Sequence, residues 1–146
     1  MSAKAILQTI IAALEPLKTT AGVKTIRAYG GELAKLESGK EPPALAPAIL
    51  GGLHQDSMEY VDQITDTRRM RFVFFLLTAD ADRGVKRAES MADLLDAFRG
   101  ALHNQTLGMT LTAPIRVAEF EIIADSPLFL GAAVSVEIET LEQTGA

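Results

Sequence analysis

The sequence has no cysteine, no tryptophan and only two histidines among its 146 residues. The lack of cysteine excludes disulfide bonds, thiolate metal ligands and thiol nucleophiles. His54 and His103 fall in different segments that are predicted to be polar turns, and neither has a second histidine at ligand spacing. The serines fall in predicted caps, turns and one strand, outside any G-x-S-x-G motif. We therefore expect no catalytic, cofactor-binding or metal site and no enzymatic activity.

The sequence also lacks the features of membrane proteins and of general nucleic-acid-binding proteins. Its longest apolar run, Phe72–Leu77, has the length of a strand and falls well short of the roughly 18 residues of a membrane-spanning helix. Apolar residues near the N-terminus recur periodically instead of forming the block that a signal peptide contains. The net charge of −5 and the pI of about 5.0 argue against a general nucleic-acid binder. We expect a cytosolic protein that binds no membrane.

Aromatic residues make up only 5% of the chain, whereas hydrophobic residues make up 48%. This composition and this length are typical of one globular domain, predicted to span residues 1–146. The core must be built mainly from aliphatic side chains. We expect its largest pieces to be the phenylalanines: Phe72, Phe74, Phe75, Phe98, Phe120 and Phe129.

The periodicity of the apolar residues predicts two amphipathic helices and six strands. Apolar residues recur every three or four positions over 2–18 and 84–102, and Ser2 is a suitable N-cap for the first helix. Strands are predicted over 23–29, 45–50, 58–64, 69–78, 115–124 and 128–141. Tight turns between strands indicate a mostly antiparallel sheet, so the predicted fold class is α+β, with both helices packed on the sheet. The strands 58–64 and 69–78, joined by Thr65-Asp66-Thr67, predict one long protruding hairpin.

Two other groups of residues have structural interpretations. The glycine pairs Gly30-Gly31 and Gly51-Gly52 lie outside the GxGxxG and GxxxxGK[ST] motifs, so we interpret both as ends of strands. Asp80 and Asp82 precede the second predicted helix. Because helix N-termini attract anions and accept side-chain caps, we interpret these two carboxylates as capping residues.

The order of motifs from about residue 3 to about residue 141 forms a known pattern. After the N-terminal helix come VKTIRAYGGEL, a Pro-containing loop, PAIL, MRFVFFLLTAD, GVKRAESMADLLDAFRGAL with NQTLGM, and the alternating AAVSVEIET. The motifs are Tyr29-Gly30-Gly31-Glu32-Leu33, Pro47-Ala48-Ile49-Leu50, and Gly100 with Leu102. In these features the chain resembles the tail terminator proteins of Mu-like long-tailed phages and prophages. The stretch HQDSMEYVDQITDTRRM departs from the family pattern.

The resemblance implies a small α+β subunit that forms a ring, usually of six copies, on the head-proximal end of the tail tube. There it stops tube polymerisation and presents a surface for head–tail joining. The expected partners are further copies of the chain, the tail tube protein and the head–tail connector protein. DNA would pass through the lumen without specific binding, and an acidic subunit suits that role because like charge discourages sticking. The expected location is the host cytoplasm during assembly and then the virion, and the family has no catalytic residues to carry over.

The predicted hairpin contains the candidate residues of an interface with another subunit or with the tube. Arg68, Arg69 and Arg71 form the densest basic group, and alternation places Arg69 and Arg71 on one face of the strand. Two interpretations are open: cross-strand pairs with glutamates at a solvated rim, or a contact to another subunit. Apolar residues on both faces of the same strand indicate surface that a neighbour buries. The candidate set is Arg68, Arg69, Arg71, Asp62 and Phe75.

Two other functions remain as alternatives. One is a different virion role, as a head-completion or other neck protein, which binding to tube ends would distinguish. The other is a cytosolic oligomeric α+β ligand-binding protein or enzyme, which a deep pocket with convergent polar groups would favour.

Overall fold

The computed structural model of the chain describes residues 1–30, 45–79, 84–127 and 129–143. Within these ranges the chain forms three helices and five strands. The predicted capping role of Asp80 and Asp82 falls on residues 80–83, which lie outside the described ranges. The elements in chain order are α1 (Ala3–Leu14), α2 (Leu17–Thr20), β1 (Thr25–Ala28), β2 (Ala48–Tyr60), β3 (Thr65–Thr78), α3 (Val85–Leu102), β4 (Arg116–Asp125) and β5 (Leu130–Gln143).

The five strands form one mixed sheet in the order β1-β2-β3-β5-β4. β1 pairs with β2 in parallel, and every other neighbouring pair is antiparallel. The long helices α1 and α3 pack on one face of this sheet and contact each other. The predicted α+β fold, with a mostly antiparallel sheet and two packed helices, is confirmed.

The first predicted helix, 2–18, is divided by Pro16. Ser2 caps α1 as predicted, because its hydroxyl accepts a hydrogen bond from the Ala5 N–H at 3.0 Å. α1 ends at Leu14, and Pro16 is the N-cap of the short α2. A proline inside a helix lacks the N–H that would bond the preceding turn, and its ring crowds that turn. The prediction of one uninterrupted helix to residue 18 was therefore wrong.

The Gly51-Gly52 pair lies inside a strand, contrary to its interpretation as a strand end. β2 runs without interruption from Ala48 to Tyr60 and replaces the two predicted strands 45–50 and 58–64. A Cβ on Gly51 would overlap the ring of Phe74 on β3, and a Cβ on Gly52 would lie 2.9 Å from the Tyr29 carbonyl oxygen. The two glycines therefore permit close approach of neighbouring groups. His54 follows them at a register shift between Leu53 and Gln55, in β2 and not in a turn.

The turn of the hairpin also lies at a different place from the predicted joint. Residues 61–64 form the turn, whereas Thr65-Asp66-Thr67 belong to β3 and Asp66 pairs with Tyr60. Asp62 Oδ1 accepts a hydrogen bond from the Ile64 N–H at 2.9 Å, and the Thr65 carbonyl accepts from the Val61 and Asp62 N–H groups at 3.1 Å. Asp forms such local turns readily, since its short side chain reaches the backbone two residues on.

A third strand completes the hairpin. β5 pairs with β3 along its whole length, from Thr65 opposite Gln143 to Thr78 opposite Leu130. β4 reaches only as far as Arg116 opposite Glu137. We name this level and the three-stranded part of the sheet beyond it the arm: residues 55–60 of β2, 65–71 of β3 and 137–143 of β5. The other predicted bounds differ from the observed ones by at most two residues at either end, except that β3 starts at Thr65 instead of at residue 69.

The core lies mainly between the helices and the sheet. Ile6, Ile10 and Leu14 of α1 and Phe98 of α3 are fully buried against the sheet. A smaller cluster on the opposite face contains Ala48, Leu50, Leu77 and Phe129, with Phe75 and Tyr29 packed against it. Of the six phenylalanines predicted to form the core, Phe75 is only half-buried and Phe120 is 37% exposed.

Candidate assembly surface

Arg68 lies on the helix-packed face of the arm and joins three parts of the chain. It makes a bidentate pair with Asp56 of β2, from Nε to Oδ1 at 3.0 Å and from Nη2 to Oδ2 at 2.8 Å. Its Nη1 donates to the Met1 carbonyl at 3.0 Å and lies 3.6 Å from Glu142 of β5. The Met1 amine lies 3.3 Å from the same glutamate. The network ties the N-terminus and β2 to the end of β5.

The Arg68 network shifts the pKa values of its carboxyl groups. The hydrogen bond from Arg68 lowers the pKa of Asp56 below its ordinary value. Burial alone raises the pKa of Glu142, but hydrogen bonds from the Thr140 hydroxyl and the N-terminal amine, with the charges of that amine and Arg68, lower it on balance. Both carboxyl groups therefore favour the charged form in the folded chain.

Arg69 lies on the opposite face, between carboxylates on both neighbouring strands. It contacts Glu59 of β2, and its Nε donates to Glu139 of β5 at 3.1 Å. The Thr112 hydroxyl donates to the same Glu139 at 2.7 Å. The Thr112 hydrogen bond, and then that of Arg69, lowers the pKa of Glu139. The loop before β4 is thereby attached to the arm.

The other candidate residues lie apart. Arg71 donates to the Ser135 hydroxyl at 2.8 Å and contacts Glu119. Phe75 is half-buried, with its ring edge-on to Tyr29 at a centroid distance of 6.2 Å. Asp62 lies in the hairpin turn, where its side chain bonds the backbone of Ile64. Arg68, Arg69 and Arg71 all have carboxylate partners in their own chain, which is the first of the two interpretations. A contact of the five candidate residues with another subunit stays a prediction.

The sequence reasoning missed the exposed apolar side chains around the hairpin turn. Tyr60 is 72% exposed, Val61 52% and Ile64 49%. The sequence could have indicated this exposure. These apolar residues stand next to the polar residues Asp62 and Gln63, at a turn that no predicted helix could cover. A second missed group lies on β4, where Phe120 and Ile122 are 37% and 44% exposed.

The face of the sheet opposite the helices contains a shallow cleft of about 530 Å³. Val73, Phe75 and Ala133 form its apolar part, and Arg71 and Ser135 bond each other at its polar end. His54 is one of its lining residues. His103 ends α3, and its Nδ1 accepts the Val117 N–H at 3.0 Å, so it serves as a structural acceptor. The described residues contain no group of three or more His, Asp or Glu side chains arranged to hold a metal ion.

Among the described residues, no helix combines the length and the apolar character that crossing a membrane requires.

Comparison with known proteins gives a match in structure but none in sequence. No protein-family model matches the chain, and no curated protein matches it. A chain of the solved virion of a native gene transfer agent particle has a similar structure, with a TM-score of 0.59 and 12% sequence identity. The similarity covers 97% of this chain and 99% of that chain. The two chains share a fold over nearly their whole lengths.

Proposed function

We propose that the chain is a structural subunit of a phage-type particle and acts there as the tail terminator. In this role, copies form a ring of six on the head-proximal end of the tail tube, stop tube polymerisation and provide the surface for head–tail joining. The observation that carries the proposal is the shared fold with a virion chain over 97% of this chain and 99% of that one. The similarity spans nearly all of both chains, and a shared fold alone does not fix the function.

The charge distribution supports a position around passing DNA. The chain has a net charge of −5. The three arginines of the arm, its densest basic group, are engaged with Asp56, Glu59, Glu139 and Glu119 of the same chain. Non-specific DNA binding requires free cations that replace counterions along the phosphates. An acidic chain whose densest basic group is already paired suits a ring through which DNA passes without specific binding.

The exposed arm supports a contact with the tube or the connector. Its turn presents Tyr60, Val61 and Ile64 to solvent. Exposed apolar groups that cluster at one place often mark protein interaction sites. We propose that the chain works by such contacts without catalysis, in the host cytoplasm during assembly and then at the head–tail junction of the virion.

The test is a tube-capping assay with purified tail tube protein. Polymerising tubes are mixed with the chain, and electron microscopy measures tube length and the number of ends that carry extra density. We expect shorter tubes, with density at one end only, and capped tubes should then bind the connector protein. Unchanged tube lengths and bare ends at saturating concentrations of the chain would exclude a terminator. Binding to heads or connectors without binding to tube ends would instead identify a neck protein.

A further inference from the structure

The two outer edges of the sheet lie at the same level. Residues that pair with one another form rows across the sheet. One row begins at Arg27 of β1 and ends at Glu121 of β4, and between them it contains Leu50, Phe75 and Ala133. The next row begins at Ala28 of β1 and ends at Phe120 of β4, and the row on the other side joins Ile26 to Ile122. No described strand pairs with the outer side of β1 or of β4.

The two edges have complementary side chains in these rows. Arg27 and Glu121 are both exposed, and each lies on the face opposite the helices, as Phe75 does in the same row. Within the described part of the chain, neither has an ion-pair partner. Phe120 and Ile122 lie on the helix-packed face at the opposite edge from β1, where they remain 37% and 44% exposed. One edge thus presents a cation and the other an anion beside uncovered apolar groups.

We infer that β4 of one copy lies beside β1 of the next copy, so that the sheet continues from subunit to subunit. The strand directions allow this, because β4 is antiparallel to β1 within the sheet. Continuation at the same level places Glu121 opposite the neighbour's Arg27 on one face. On the other face it places Phe120 and Ile122 beside α1, which packs on β1. A second copy of the chain therefore supplies both the opposite charge for Glu121 and the apolar cover for Phe120 and Ile122.

The shape of β4 limits how far this pairing extends. Register shifts occur on either side of residues 120–122, between Ala118 and Phe120 and between Ile122 and Ala124. Such bulges bend a strand and restrict edge pairing. The regular segment between them has three residues, and the short β1 has four. The contact is therefore small, and we expect assembly to depend strongly on protein concentration.

The inferred contact rests on the proposed ring but specifies its geometry. It is heterologous, since it joins two different surfaces of the same chain, and repeated heterologous contacts form a ring when the rotation between copies closes. The arm remains outside this contact and stays available for the tube or the connector.

Engineered cysteines give a direct test, because the natural chain contains none. In the variant Arg27→Cys with Glu121→Cys, the two positions are four strand spacings apart within one copy, roughly 19 Å between Cα atoms. A disulfide requires about 4.4–6.8 Å, so only neighbouring copies can form it. Oxidation at assembling concentration should give a ladder of covalent multimers in denaturing electrophoresis. Ala28→Cys with Phe120→Cys tests the adjacent row and retains the charged pair.

A matched control keeps the cysteine on β4 and moves the other to the outer strand of the arm, as Ser57→Cys with Glu121→Cys. It should form no ladder. If the control cross-links and neither edge pair does, the inference is wrong. It is also wrong if the unmodified chain stays monomeric at every concentration tested, or if it forms oligomers that neither edge pair traps.

Charge reversal tests the same contact without covalent trapping. Arg27→Glu alone and Glu121→Arg alone each place like charges opposite each other. Each should raise the concentration of half-assembly roughly three- to tenfold, the typical effect of like charges on neighbouring strands. An equimolar mixture of the two single variants should assemble normally, because in a ring where the two variants alternate every contact joins opposite charges. Failure of the mixture to recover assembly overturns the inferred pairing. Cross-linked rings that fail to cap tubes would leave it intact and exclude the terminator function.

Discussion

Gly51 and Phe74 face each other across β2 and β3, at a place where the sequence suggests the end of a strand. The ring of Phe74 occupies the space that a side chain on Gly51 would need. Phe74 is itself fully buried and packs against Phe98 of α3 at a centroid distance of 5.4 Å. The ring therefore cannot move aside without disturbing the contact between the sheet and α3.

This arrangement predicts the effect of a single methyl group. Gly51→Ala should destabilise the fold by about 1–3 kcal/mol, the usual effect of overpacking a core. Thermal or chemical unfolding measures the change. The control is Gly100→Ala: Gly100 lies within α3 with open space around it, and alanine there should stabilise by roughly 0.5–1 kcal/mol. Equal stability of the Gly51→Ala variant and the natural chain would contradict the close approach of the Phe74 ring.

The two histidines should be dispensable for assembly. His103→Ala removes the acceptor of the Val117 N–H, and loss of one such hydrogen bond costs about 1 kcal/mol. His54 is exposed, so His54→Ala should leave stability nearly unchanged. Both variants should cap tubes like the natural chain in the electron-microscopy assay. A folded variant that forms rings but fails to cap would assign one of these histidines a direct role.

At the scale of the elements, the carboxyl groups of the arm predict its dependence on pH. Hydrogen bonds and charges lower the pKa values of Asp56, Glu139 and Glu142 in the folded chain. A lowered folded-state pKa contributes stability above the ordinary carboxyl value and loses it as the pH falls through the folded-state value. The arm should therefore loosen first as the pH falls below about 4.

Hydrogen exchange at the amides of β2 and β5 measures this loosening. The amides of residues 55–60 and 137–143 should lose protection at a higher pH than those of β3 near Phe74. The control is Asp56→Asn, which removes one of the titrating groups and should flatten the pH response of β2. Uniform loss of protection along the whole sheet would contradict a separate weakening of the arm.

The helices and most strands could be predicted from the sequence, because their patterns of apolar residues involve only residues close together in the chain. Apolar spacing marked α1 and α3, and alternation marked β5. The arm could be predicted only in part, because its third strand lies far away in the sequence: Arg69 and Glu139 are 70 residues apart. A hairpin seen alone offered the arginines partners on β2 only, whereas the third strand adds Glu139 and Ser135. Gly51 was misinterpreted for the same reason, since the ring that requires it lies on another strand.

At the scale of the whole molecule, the arginines of the arm are paired within their own chain and yet remain partly exposed. Arg69 is 55% exposed although it contacts Glu59 and Glu139, so its guanidinium can still reach a partner beyond the chain. Arginine suits such sharing because its planar group has five N–H donors. Stability and assembly must therefore be measured separately.

Charge exchange within the arm separates these two roles. Arg69→Glu with Arg71→Glu places new negative charges beside Glu59, Glu139 and Glu119, and should lower the melting temperature by about 2–8 °C. In Arg69→Glu with Glu139→Arg the pair between β3 and β5 is restored in reverse, whereas the new glutamate still lies beside Glu59, so the melting temperature should recover only part of this loss. If the arm meets carboxylates of a neighbour or of the tube, capping should remain impaired in this exchanged variant, because the cation now projects from β5 instead of β3. An exchanged variant that recovers this part of its stability and also caps tubes normally would restrict Arg69 to holding the arm together.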